Sequence, residues 1–513
     1  MKLSTIGIVL ITISVLTTAH VPGDVLTSIP NAQALTRDSL EQLQHNLLNA
    51  LSKLNQTLVD QYGESVLEHF QNGLGMFPEA REVLKHKILK SIVFSHKFTI
   101  SFTGTSVTEC GDNYWNQSYA HVFATFFEPI AAACNVGLTV RNLAQGSNPI
   151  IPYDVCFSTV AGEDSDVITW EQDMMGDSVS AMELVQRIAA SFSNQAAILQ
   201  VIPKPSISQI KKIQKYNYKY FFAPGAKDIR EVYARQGLHS ISILDAIPGL
   251  AGNPQFSMNL MFYEGKNFGK GAWHPAPGGH QAIGLHIVWH YAQLWKEAFD
   301  LLKEIAESSG STDLSKIVSS YLEENRVVPE DIAPLACNGI FYGRAGDPLP
   351  MCATVQEPFH ERNMDLTRFV VDTKIVDDRP QTEILGSANY SGVWYARFRM
   401  DRPVGIIDSL RRGSPSLKMA LIGNNESGSL FFEFESGSGA PILICQPRNS
   451  KALPRDLFVD SDFFLDGKPV SPQGITCGQL TESATPGLHR VEVRPVNDGQ
   501  PVMISHLVWP RPK

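Results

Sequence analysis

From Phe98 to Glu307 short apolar runs alternate with longer segments of helical period, and beyond Asp365 that alternation stops. Phe98–Thr103, Leu138–Asn142, Val167–Trp170, Ala197–Ile202 and His239–Asp245 read as strands. Helical patterns fall at Ser118–Cys134, Met182–Phe192, Ile207–Tyr216 and Asp228–Gln236, and a long helix follows from about Gly279 to Glu307. Strands that alternate with helices predict an α/β fold, a parallel sheet covered on both faces. In such sheets reactive groups gather at the carboxyl ends of the strands.

The flanking regions follow other rules. Leu43, Leu47, Leu48, Leu51 and Leu54 recur at helical spacing, so 20–95 reads as a helical N-terminal extension. Residues 309–365 read as an irregular linker holding Cys337 and Cys352. From 366 to 513 short strands separated by turns such as Gly423-Asn424-Asn425 and Asp466-Gly467 predict an antiparallel β-sandwich domain. The domain between, 96–308, carries the alternating pattern.

Met1-Lys2, the apolar stretch Leu3–Leu16 and Thr17-Thr18-Ala19 form a secretory signal pattern with a cut after Ala19. No second run of ~20 apolar residues follows, so no membrane span is expected after cleavage, and the protein should be secreted or lumenal. A net charge of −9 without a basic run argues against a nucleic-acid partner. Seven cysteines suit an oxidising compartment. Cys337–Cys352, Cys445–Cys477 and Cys134–Cys156 are the candidate local pairs, and glycosylation sequons stand at Asn55, Asn116, Asn389 and Asn425.

Four segments could carry chemistry. Gly104-Thr105-Ser106 follows the first strand, where a serine on a sharp turn can expose its hydroxyl and offer its backbone N–H to an oxyanion. Gly146 follows the second strand and lets backbone approach a substrate closely. Gln172 follows the third strand and holds a side-chain amide donor. His274, framed by Pro275, Pro277, Gly278 and Gly279, can act as a base toward Ser106. His286 and His290 are four apart, but their apolar surroundings read as helix packing rather than a metal site. Cys110 reads as a buried or bridged cysteine, and Asp112–Trp115 as a stretch near the cleft mouth. No phosphate-binding loop or dinucleotide fingerprint occurs, so no cofactor is inferred.

Taken in order, these segments resemble the SGNH (GDSL-type) hydrolase family over about residues 96–306. Phe102–Thr108 is similar to its first block, with Thr105 where aspartate is usual. Trp170-Glu171-Gln172-Asp173 resembles the Gly-x-Asn-Asp block, and His274-Pro275 resembles the Asp-x-x-His-Pro block. The resemblance implies a doubly wound, flavodoxin-like parallel sheet and a serine esterase. Ser106 would be the nucleophile and His274 the base, with an oxyanion hole of Ser106, Gly146 and Gln172. Gly271 stands where the triad acid is usual, which leaves Asp245 or Glu264 as substitutes, or a backbone carbonyl that orients His274. The implied substrate is a small-molecule or polysaccharide ester, with O-acetyl groups on glycans favoured and acyl transfer left open. The rival expectation is a catalytically degenerate binding or matrix protein whose C-terminal β-domain holds glycan.

Overall fold

The computed structural model describes residues 24–26, 37–110, 115–146, 150–172, 178–202, 226–243, 245–246, 274–309, 313–326, 350–356, 359–377, 392–399, 419–447, 458–472, 476–497 and 501–512. The signal pattern, the Ile207–Tyr216 helix, Asp112–Tyr114, Glu264, Gly271, Cys337 and the Asn389 sequon lie outside them.

The chain begins with β1 (Asp24–Leu26), α1 (Arg37–Tyr62), α2 (Val66–Asn72), β2 (Leu74–Gly75) and α3 (Pro78–Lys90). Then come β3 (Lys97–Phe102), α4 (Tyr119–Ala133), β4 (Gly137–Asn142), α5 (Ile150–Tyr153), α6 (Phe157–Ala161), β5 (Val167–Trp170), α7 (Ser178–Ala190), β6 (Ala197–Ile202) and β7 (His239–Ser242). A helix Ala226–Val232 precedes β7, and the long helix Pro277–Ser308 follows it. The seven strands form one sheet in the order β1-β4-β3-β5-β6-β7-β2. The five inner strands pair in parallel, while β1 and β2 close the two edges antiparallel.

Side-chain alternation along the strands builds a core on each face. Phe98, Ile100 and Phe102 point into a cluster with Leu47, Leu51 and Leu58 of α1, Phe123 and Phe127 of α4, and Tyr291 and Trp295 of the long helix. Ile168, Trp170 and Ile198 point the other way, against Phe157 of α6 and Val185 and Ile188 of α7. Each such fully buried side chain contributes about 1.5–3 kcal/mol relative to exposure.

Among the described residues the C-terminal part is β-rich and mostly antiparallel, in three small sheets. One exception is Ile375–Asp377, which runs parallel to Trp394–Arg399. Trp394, Phe432, Phe463, Val491 and Ile504 share one core. One four-stranded sheet, Cys477–Thr481, Ile442–Cys445, His506–Pro510 and Pro350–Thr354, divides its residues between two cores. Ile442, Ile444 and Leu507 join the C-terminal core. Leu443, Cys445 and Val508 join the α7 face of the first sheet.

Two expectations are corrected. The stretch read as an irregular linker contains the helix Leu314–Glu324 and the strand Pro350–Thr354, which belongs to a C-terminal sheet. Its Pro/Gly content masked a strand that is fixed by pairing with His506–Pro510. The cysteine pairs also differ. Cys445–Cys477 forms, but Cys352 bonds Cys156 across 196 residues, and neither Cys134–Cys156 nor Cys337–Cys352 exists. Sheet packing brings α6 against Pro350–Thr354, as the Thr159 hydroxyl shows by donating to the Cys352 carbonyl at 2.7 Å. Cys110 and Cys134 are buried thiols outside either bridge, and burial pushes both thiols up.

Candidate active site

Ser106 sits on the turn that leaves β3 at the carboxyl edge of the sheet. The turn closes on itself through Glu109 N–H to the Thr105 carbonyl at 3.0 Å and Cys110 N–H to the Val107 carbonyl at 3.2 Å. It ends at Cys110 with φ 76°, a left-handed conformation that costs energy in a non-glycine residue. His274 lies at the approach to the long helix, which starts at Pro277 with an extended Ala276 before it. Proline at the first helical position leaves no N–H wasted and stops the helix from growing back toward His274. The two side chains meet: His274 Nε2 lies 2.8 Å from Ser106 Oγ. Both are half-buried.

The segment after β4 is drawn to the same turn. The Asn142 side-chain amide donates to the Thr108 carbonyl at 2.9 Å, and Gln145 N–H donates to the Gly104 carbonyl at 3.1 Å. Gly146 is thereby pressed against the turn. A β-carbon there would stand 2.0 Å from Glu109 Oε2 and 3.4 Å from the Ser106 Cβ.

The segment after β5 supplies Glu171 and Gln172, both buried. Both polar atoms of the Gln172 side chain are buried without a hydrogen-bond partner. Glu171 is heavily used. Its Oε2 accepts from Thr105 N–H at 3.0 Å, Thr105 Oγ1 at 2.8 Å and Thr108 Oγ1 at 3.0 Å. Thr108 Oγ1 also meets the Tyr119 hydroxyl. A threonine hydroxyl has one proton, and here it goes to Glu171, so Tyr119 is the donor to Thr108. Burial first, and the Glu171 charge second, hold the Tyr119 phenol well above its ordinary value, which keeps that proton in place. Tyr119 opens α4 just after Ser118, whose hydroxyl caps the helix by accepting from His121 N–H.

Tyr119 stacks on His280, with ring centroids 5.9 Å apart. Burial, then the nearby His274, push the His280 imidazole down to about 3. It is therefore neutral. Polar groups thus continue behind the Ser106 turn from Glu171 to the helix that follows His274.

The structure brings Ser106, His274 and Gly146 together and places Gln172 at the neighbouring strand end. It does not bring Asp245 to His274. Asp245 is exposed, its backbone N–H donates to Ser242 Oγ at 3.2 Å, and its carboxylate makes no hydrogen bond or ion pair with His274. His286 is buried, stacked on Phe70 at 4.6 Å and hydrogen-bonded to the Phe70 carbonyl at 2.8 Å, so it is a packing residue. His290 packs beside His239, their rings 5.4 Å apart. Among the described residues no cluster of histidine, cysteine or carboxylate side chains could hold a metal. Sequence reading passed over Glu171 and Glu109. A carboxylate directly after the strand-like run Val167–Trp170 was the available signal for Glu171.

No family model and no curated protein matches the chain. Among solved structures, it is similar to a two-domain esterase (CEX) active on acetylated mannans. The form co-crystallised with mannopentaose aligns at a TM-score of 0.43 and 15% identity over 86% of this chain and 98% of that one. A second structure of a two-domain esterase with the same description gives the same TM-score and identity, covering 99% of that chain.

Proposed function

We propose that the chain is a serine ester hydrolase of SGNH type, exported and acting on O-acyl groups. The observation that carries this reading is the 2.8 Å contact between Ser106 Oγ and His274 Nε2 at the carboxyl edge of the parallel sheet. Its strands, counted from β3, run second-first-third-fourth-fifth, the doubly wound order expected of the flavodoxin-like type.

In the proposed reaction His274 Nε2 takes the Ser106 proton as Oγ attacks the acyl carbonyl. The negative oxygen that forms is held by the Ser106 and Gly146 N–H groups and the Gln172 amide. A buried amide with no partner among the described residues suits that last role, because a donor already committed elsewhere would have to break a bond first. The imidazolium returns its proton to the leaving alkoxide, the acyl group stays on Ser106, and His274 then activates water to release it. The acyl group we propose is acetate on a glycan, in keeping with an exported chain whose C-terminal part, from Pro350 on, is β-rich.

The test is p-nitrophenyl acetate turnover by wild type, Ser106→Ala and His274→Ala, followed by acetate release from acetylated polysaccharides. Both variants should lose at least about 10³ in kcat. Full turnover by His274→Ala would overturn the mechanism.

A further inference from the structure

We infer that Glu171 is the positioning carboxylate of the Ser106 turn, a single buried oxygen that sets where the nucleophile stands. This rests on the hydrolase reading and adds a residue to it. Three donors from the turn converge on Glu171 Oε2, two from Thr105, next to Ser106 in the chain, and one from Thr108. Together they bracket Ser106 on both sides. Thr105 N–H also faces the Glu171 carbonyl at 3.2 Å, so backbone and side chain of one residue grip the same point.

The space is closed. Glu171 is 2% exposed, and a β-carbon at Gly104 would stand 2.2 Å from Thr108 Oγ1 and 2.9 Å from Glu171 Oε2. The carboxylate therefore cannot change its grip without moving the turn. An acceptor-only oxygen is needed, because two of the donors are hydroxyls and the third is a backbone N–H. A glutamine there could still place its amide oxygen at that point, but it would hold the three donors without the charge that strengthens such bonds, and its NH2 would stand where Oε1 now is.

The geometry also names the substitution that should rescue a loss at Glu171. Thr105 Oγ1 lies 2.8 Å from Glu171 Oε2 and accepts from Val107 N–H at 3.3 Å. Aspartate at 105 would bring a carboxylate into the same spot from the other side, within reach of Thr108 and Val107. In the wild-type background it would face Glu171 as a second buried negative charge. With glutamine at 171 it would face an amide donor.

The experiment compares wild type, Glu171→Gln, Thr105→Asp and the Thr105→Asp/Glu171→Gln double variant. It reads kcat and KM on p-nitrophenyl acetate, Ser106 labelling by a fluorophosphonate, and the melting temperature. Glu171→Gln should lower kcat and labelling by about 100-fold with KM within about threefold, the mark of a misplaced nucleophile rather than a lost binding contact. Thr105→Asp should be impaired as well. The double variant should regain about tenfold or more over Glu171→Gln. Glu171→Gln folded and as active as wild type would overturn the inference, and so would a folded double variant no better than Glu171→Gln. If Glu171→Gln alone does not fold, the double variant decides: recovered fold and turnover support the inference, and failure of both overturns it. Turnover that depends on Ser106 but not on Glu171 defeats this inference alone. Turnover equal in wild type and Ser106→Ala defeats the hydrolase reading itself.

Discussion

Gly146 lies so close to Glu109 that a β-carbon on it would fall 2.0 Å from the Glu109 carboxylate. The obstructing atom is the far end of a flexible, half-exposed side chain, while the Ser106 β-carbon stands behind it at 3.4 Å. Gly146→Ala should therefore fold, with a melting temperature within about 3 °C of wild type, because Glu109 can swing aside. Turnover should fall by on the order of tenfold or more as the displaced carboxylate crowds the nucleophile. Calorimetry and kcat/KM separate the two effects, and truncating the obstruction in Gly146→Ala/Glu109→Ala should return most of the loss. Unchanged turnover in Gly146→Ala would show that the close approach serves only packing.

Asp245 is exposed and makes no hydrogen bond or ion pair with His274. Asp245→Asn should leave kcat within about twofold of wild type, whereas removal of a working triad carboxylate costs about 10⁴. A thousandfold loss in kcat at constant KM would instead mark Asp245 as the partner of the imidazole.

Asp154 gives a pH dependence with a definite sign. Its side chain is buried, accepts only from backbone N–H groups, and burial pushes its carboxyl up to about 7. An ordinary carboxyl in the unfolded chain titrates near 4, so the native state binds the extra proton between those values. The associated stability is complete below pH ~4 and is lost as pH rises to about 7, a total on the order of 4 kcal/mol. Urea unfolding at pH 5 and pH 8 should show wild type losing more stability with rising pH than Asp154→Asn. Parallel pH profiles for the two proteins would exclude Asp154 as the source.

The two disulfides should differ in weight. Cys156–Cys352 closes 196 residues and Cys445–Cys477 closes 32. The chain-entropy model gives about 5 kcal/mol for the first and about 4 for the second. Cys156→Ser/Cys352→Ser should lower the denaturation midpoint more than Cys445→Ser/Cys477→Ser. It also releases α6 from the strand Pro350–Thr354, so limited proteolysis should then cut faster between residues 309 and 349.

The inner strands were legible because a strand buried on both faces is a continuous apolar run. Ala197–Ile202 is wholly buried and was read with its observed limits. Ser106 and His274 could be singled out because turn chemistry is local: glycine before one, proline and glycine around the other. What holds the turn was not legible. The Glu171 contacts to Thr105 and Thr108 join residues 66 and 63 apart, and only the pairing of β3 with β5 creates them. The Cys156–Cys352 bond failed to show for the same reason, since nothing local distinguishes it from closer pairs.

Both edges of the seven-stranded sheet are supplied by the beginning of the chain. Strand β1 pairs with β4, with Asp24 opposite Arg141, and β2 pairs with β7, with Leu74 opposite Ile241. During synthesis these edge strands leave the ribosome long before their partners exist. Helix α1 emerges with them, and its leucine face at Leu47, Leu51, Leu54 and Leu58 has no core to enter until α4 and the long helix have been made. The long helix ends at Ser308, so part of that leucine face stays uncovered until past the middle of the 513-residue chain has been made, an apolar surface exposed to misassociation in the meantime. Completion of β7 and the long helix closes the second edge and finishes covering the leucines, against which α2 and α4 have already been made.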